Sequence, residues 1–98
     1  MNSEIDLANA ARLLKVVANR TRLATLVALG ERPQCVHDLV ATLELPQPLV
    51  SQHLRVLREA GLVSTRRIGK EVEYAIADAH VSHLVGDALE HVREGRPR

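Results

Sequence analysis

The apolar residues of this chain change period once, and that change limits the folds open to it. Up to Leu57 they recur every three or four positions, as on one face of a helix, whereas Val72, Tyr74 and Ile76 alternate with Glu71, Glu73 and Ala75, as on a half-buried strand. Helical spacing returns after Asp78. The expected fold is mainly α with a small β-hairpin, about five helices plus a two-stranded unit. Its core must be aliphatic, because hydrophobic residues make up 46% of the chain while it holds one Tyr and neither Phe nor Trp. The chain reads as a single domain over its 98 residues. A domain of that size buries only about 60–65% of its unfolded surface, so pairing with a second copy is a natural remedy.

Leu7, Ala10, Ala11, Leu14 and Val17 mark a first amphipathic helix, with Arg12 and Lys15 on its other side. Asn19 can cap a second, carried by Leu23, Leu26, Val27 and Leu29 and expected to end at Gly30, with Pro33 marking the break. A short helix, about Val36 to Leu43, is separated by Glu44, Leu45 and Pro46 from a longer one at about 47–60, which has Pro48 in its first turn. So tight a connection indicates a helix-turn-helix. In the longer helix Val50, Leu54 and Leu57 face inward, leaving Gln47, Ser51, Gln52, Arg55 and Arg58 outside. The hairpin follows at about 62–76, its first strand running from Leu62 to Arg67 and its turn formed by Ile68, Gly69 and Lys70. Arg66, Arg67 and Lys70 thus cluster at its tip. A last helix, about 79–94, closes the domain ahead of a loose tail from Gly95 to Arg98.

A net charge of +1 does not by itself announce a nucleic-acid partner, since Arg55, Arg58, Arg66, Arg67 and Lys70 nearly balance Glu44, Glu59, Glu71 and Glu73. The order of the elements says more. A helix that fits the DNA major groove and carries Gln, Ser and Arg can reach base edges and phosphates, and a basic hairpin beside it can follow the backbone. A solvated polar face next to an ordinary edge hairpin is the alternative reading of the same residues. The longest apolar runs fall far short of the roughly 18 residues that span a bilayer. The N-terminus lacks the basic-then-apolar layout of a leader, so a cytoplasmic protein without a membrane partner is expected. Cys35, the lone cysteine, cannot form an internal disulfide. Nothing pairs a nucleophile with a base or forms a phosphate loop, so no enzyme is expected.

The run from Val50 to Val63, Val-Ser-Gln-His-Leu-Arg-Val-Leu-Arg-Glu-Ala-Gly-Leu-Val, followed by the Arg66 to Tyr74 hairpin, resembles the recognition helix and wing of the ArsR/SmtB metalloregulatory repressors. Asn19-Arg20-Thr21-Arg22-Leu23 is similar to the family's Pro-Thr-Arg-Leu segment, with Arg20 where proline is common. The resemblance covers nearly the whole chain. It implies a winged helix-turn-helix homodimer whose recognition helices enter successive major grooves of a palindromic, double-stranded operator. Gln47, Ser51, Gln52 and Arg55 are the expected groove contacts, and Arg66, Arg67 and Lys70 the expected phosphate contacts. His53 sits beside the inward stripe and reads as a packed, hydrogen-bonded residue rather than a base reader.

Asp78, His80, His91 and Glu94 are all residue types that ligate zinc. His80 and His91 share a helix face to within about 20° yet stand about 16 Å apart along the axis, so one helix cannot bring both to one ion. Two antiparallel copies would bring His80 of one chain beside His91 of the other, giving two equivalent sites. Val81, Leu84, Val85, Ala88 and Val92 form an apolar stripe flanking that face. The pattern resembles the C-terminal-helix site of the family's zinc- and cobalt-sensing branch at all four positions. Asp78 is equally placed to cap the helix, and His83 is read as a non-ligand. Zinc leads, with cobalt, nickel or cadmium able to use the same donors. A second candidate lies at Cys35, His37 and Asp38, where other branches bind soft metals with cysteines. A single thiol and an arm, Met1 to Leu7, without Cys or His argue against a soft-metal site, and Cys35 reads as a small buried residue. The resemblance implies a repressor that binds its operator as the apo dimer and is released by metal. The rivals are the same fold governed by a non-metal ligand or thiol chemistry, and a protein-interaction adaptor that does not bind DNA.

Overall fold

The computed structural model describes residues 3–95. In chain order it contains α1 (Glu4–Val17), α2 (Arg20–Glu31), β1 (Gln34–Cys35), α3 (Val36–Leu43), α4 (Gln47–Glu59), β2 (Val63–Ile68), β3 (Glu71–Ile76) and α5 (Ala79–Glu94). Three helices open on side-chain caps. Ser3 Oγ accepts the Asp6 amide at 3.1 Å, Asn19 Oδ1 the Arg22 amide at 3.0 Å, and Asp78 Oδ1 the Val81 amide at 3.1 Å. At the start of α3 the Asp38 carboxylate reaches back to the Cys35 N–H at 3.2 Å. The turn into α4 runs through Glu44, whose φ of 55° is the one positive value outside glycine among the described residues. Its amide closes on the Val40 carbonyl at 2.9 Å, and the Pro46 carbonyl then accepts the Leu49 and Val50 amides, both at 3.1 Å. A left-handed glutamate costs about 1–2 kcal/mol, and the packing of α3 on α4 holds it there.

That packing is aliphatic, as the composition requires. Leu26, Leu39, Val50, Leu54, Leu57 and Leu62 are each at most 1% exposed. They join α2, α3, α4 and the start of the hairpin, while Val81 and Val85 of α5 cover a second side. The inward stripe Val50, Leu54 and Leu57 is thus where its spacing places it.

Elsewhere the structure departs from the sequence reading. The second helix does not end at Gly30 but runs on to Glu31, and Gly30 is not left-handed. Pro33 sets the break, because a residue before proline is pushed out of the helical region, two steps ahead of it Glu31 is the last helical residue, and Arg32 lies extended at φ −169° and ψ 156°. The hairpin turn is two residues, Gly69 and Lys70, not three. Ile68 pairs with Glu71, and Gly69 takes the positive φ of 61° that so tight a turn demands. A strand with no counterpart in the sequence reading, β1, adds to β3 through Gln34↔Tyr74 and Cys35↔Glu73, giving the order β1-β3-β2. Two residues are too few to show an alternation. Of the expected α1 stripe only Val17 packs against the core, beside Leu13 and Val16, while Leu7 and Leu14 are 51% and 48% exposed. Gly95 caps α5, and the rest of the expected tail, 96–98, lies outside the described residues.

Leu54 belongs to this core and has no exposed surface. Leu54→Ala is expected to lower the unfolding free energy by about 2–5 kcal/mol, read as a shift of the urea midpoint at fixed protein concentration.

Candidate functional site

Helix α4 presents its two faces unequally. Gln47, Gln52, Arg55 and Arg58 are exposed and Ser51 is half-buried, opposite the fully buried Leu54 and Leu57. At about 100° per residue, Gln52 and Arg55 fall farthest of these five from the inward stripe, on the side Glu59 shares. The helix opens on Pro46 without a side-chain cap and with no acid in its first turn, so the positive end of its dipole is open to an anion.

The hairpin sorts its cations by face. Strand alternation places Arg66 with Ser64 and Ile68 on one side of β2, and Arg67 with Val63 and Thr65 on the other. Arg66 is held by Glu73, its cross-strand neighbour, with Nη2 3.1 Å from Oε1. Arg67 and Lys70 make no ion pair among the described residues. The three basic residues at the tip therefore divide into one neutralised in place and two at liberty, a difference that sequence spacing alone does not express.

On α5 the side chains of His80, His91 and Glu94 are exposed, and Asp78 serves as the helix cap. Among the described residues no three His, Cys, Asp or Glu side chains of one chain converge on a point that holds a metal ion. The apolar stripe of α5 splits along its length. Val81 and Val85 are buried in this chain's own core, whereas Ala88 is exposed and Val92 is 61% exposed.

Cys35 corrects its expectation. It is half-buried rather than buried, and its Sγ donates to Glu71 Oε2 at 3.6 Å. The other oxygen of Glu71 lies 3.2 Å from His37 Nδ1, and His37 Nε2 lies 3.4 Å from Asp38. Partial desolvation, then Glu71 and the neighbouring carboxylates, push the Cys35 thiol above its ordinary value. A thiol so placed is a poor nucleophile. Glu71 is 36 positions away in sequence, and no local pattern announces it.

His53 is half-buried with Nδ1 3.4 Å from Arg22 Nη1, the packed and hydrogen-bonded place its position beside the stripe suggests. Burial first, and the Arg22 charge second, lower its pKa. No local pattern announces Arg22 as its partner, because the pairing spans 31 positions.

Comparison with known proteins places this geometry. Residues 19–65, from the α2 cap through α4 into β2, match the family described as bacterial regulatory protein, arsR family. The HTH-type transcriptional repressor SmtB of Mycobacterium tuberculosis is 48% identical over 85 residues, 87% of this chain and 63% of that protein. The HTH-type transcriptional regulator KmtR of the same organism is 40% identical over 89 residues, 88% of this chain and 68% of that protein. This chain thus spans just under two thirds of the length of SmtB. The solution structure of the homodimeric winged helix-turn-helix DNA-binding domain of Mb0332 from Mycobacterium bovis superposes with a TM-score of 0.89 at 27% identity, covering 99% of this chain and 93% of that one. The fold is a winged helix-turn-helix, and the chain belongs to the arsR family of bacterial regulatory proteins.

Proposed function

We propose that this chain is a homodimeric transcriptional repressor that grips palindromic DNA in its apo form and is released by a divalent metal ion, zinc first among them. The observation that carries the DNA reading is the pairing of a donor-rich, uncapped α4 with a hairpin whose Arg67 and Lys70 have no acidic partner among the described residues. Gln47, Ser51, Gln52 and Arg55 read the groove, and Arg67 and Lys70 take phosphates. Arg66 contributes less while Glu73 holds it. SmtB, 48% identical to this chain, is a transcriptional repressor, which supports the direction of control.

The dimer reading rests on apolar surface without a partner in the chain itself. Ile5, Leu7 and Leu14 on α1 and Val92 on α5 are 73%, 51%, 48% and 61% exposed. A second copy is the occupant the homodimeric Mb0332 domain favours. The donors Asp78, His80, His91 and Glu94 lie beside that surface and fit zinc in type, two imidazoles and two carboxylates. They do not converge within one protomer, so the ion would be shared between two. When bound, it would supply a crosslink between protomers. Asp78 would keep capping α5 with one oxygen, and the imidazoles must be neutral to ligate, so acid blunts the response. Linkage then requires that metal and DNA weaken each other equally, by about 1–3 kcal/mol or 5–150-fold.

The DNA half is tested with a duplex enriched by the wild-type chain from a random pool. Arg67→Ala should weaken binding to all duplexes and reduce the slope of log affinity against log salt by about one, and Arg66→Ala should change it less. An unchanged slope for Arg67→Ala removes that residue from the phosphate contacts. The metal half is tested by zinc titration of the same complex. His91→Ala should keep apo binding and lose the zinc response, and an affinity indifferent to stoichiometric zinc in the wild type rejects the switch. Asp78→Asn retains a cap, where Asp78→Ala would cost about 1 kcal/mol, and should weaken zinc binding with little change in thermal stability.

A further inference from the structure

We infer that Arg22 and His53 form a proton-sensitive positioning contact that sets the pose of α4 against α1 and α2. The step from that pose to DNA affinity rests on the function proposed above; the contact itself does not.

Arg22 is held at three points. Its amide is capped by Asn19 Oδ1 at 3.0 Å, its Nε donates to the Val16 carbonyl in the last turn of α1 at 2.7 Å, and its Nη1 lies 3.4 Å from His53 Nδ1 on α4. Its guanidinium thus bridges the end of the exposed first helix and the helix with the donor-rich face, while its amide is fixed at the start of α2. The Val16 carbonyl is among the last four of its helix, which lack intrahelical donors and carry the negative end of the dipole. A guanidinium is a matched partner there.

The chemistry of the pair fixes the state of the ring. Arginine has only donors, so Nδ1 must offer its lone pair, and the proton of the neutral imidazole sits on Nε2. A second proton, taken from solvent onto Nδ1, would set N–H against N–H and cation against cation, and the contact must open. Among the described residues nothing compensates. The elements packed on α4 bring the Val16 carbonyl from α1 and Arg22 from α2 to this place, and no carboxylate acts on the ring, Asp38 of α3 and Glu59 of α4 itself included. The bases of β2, Arg66 and Arg67, do not act on it either.

Burial and the Arg22 charge both favour neutral imidazole, so the folded ring titrates below its ordinary value of 6.5. The sign follows. Above 6.5 the ring is neutral folded or unfolded; as pH falls through 6.5 the unfolded chain takes up the proton first, and stability is lost until the lower folded value is passed. The contact opens, and α4 is released from Arg22, as pH falls through that lower folded value. Added positive charge ordinarily tightens phosphate binding; this contact predicts the reverse.

The test uses the full chain in metal-free buffer at constant ionic strength. As pH falls from 7.5 to 5.5 the wild type should lose affinity for its enriched duplex, by about tenfold at most. His53→Asn, whose Oδ1 can accept from Arg22 and does not titrate, should hold or gain affinity. Identical profiles for the two overturn the inference, since every other side chain is common to both. A DNA-free measurement separates this failure from failure of the DNA reading. In nitrogen-15 spectra the His53 ring should titrate below 6.5, and the amides around Val16 and along α4 should move with the same midpoint. If those amides ignore the titration, the contact positions nothing, whether or not any duplex binds. Arg22→Met should raise the ring's midpoint; an unmoved midpoint likewise overturns the pairing.

Discussion

Leu54 and Leu57 of α4 sit without exposed surface against Leu26, Leu39 and Leu62, and the rest of the structure is arranged around that contact. It uses aliphatic side chains alone. Packed at the density of a protein interior, such residues hold the inward face of α4 on the core and leave only small changes of pose to polar contacts such as that of Arg22 with His53. The donor-rich face opposite them inherits that rigidity, which any readout by direct contact to base edges requires. The left-handed Glu44 and the capless start at Pro46 are the local cost of bringing α3 and α4 so close.

Charge is organised at a finer scale than the net value of +1. The outward sheet face gathers Glu71 and Glu73, and these acids are engaged, Glu73 by Arg66 and Glu71 by Cys35 and His37. Arg67 and Lys70 stand apart from them. A chain close to neutrality can in this way still offer both unneutralised cations and an uncapped helix N-terminus, each of which suits an anionic polymer. The Glu71 cluster also ties the hairpin to the start of α3, so the hairpin and the two-helix unit are joined by side chains as well as by the β1–β3 ladder.

The apolar residues left in water divide by element. Leu13, Val16 and Val17 dock α1 on the core, while Ile5, Leu7 and Leu14 face away. On α5 the division runs along the axis, with Val81 and Val85 inside and Val92 outside. On the proposed reading both remainders belong to one interface between copies, and the α5 donors lie at its margin. Arg22, grasping the last turn of α1 and reaching α4, is then the polar link between that interface and the reading face.

Much of this was legible in the chain itself. The 3.6-residue spacing of Val50, Leu54 and Leu57 places them inside and Gln52 and Arg55 outside; the alternation of Val72, Tyr74 and Ile76 places a strand; Asn19 and Asp78 mark helix starts. All are local signals, in which neighbours in sequence are neighbours in space. What only the tertiary structure decided are relations between residues far apart: the β1 edge strand, the neutralisation of Arg66 by Glu73, the Glu71 cluster, the Arg22 to His53 contact, and which half of each apolar stripe stays in water. Periodicity reports that a helix has an apolar face. It carries no information on whether that face meets its own core or another surface, because burial is a property of the packed elements and not of any one of them.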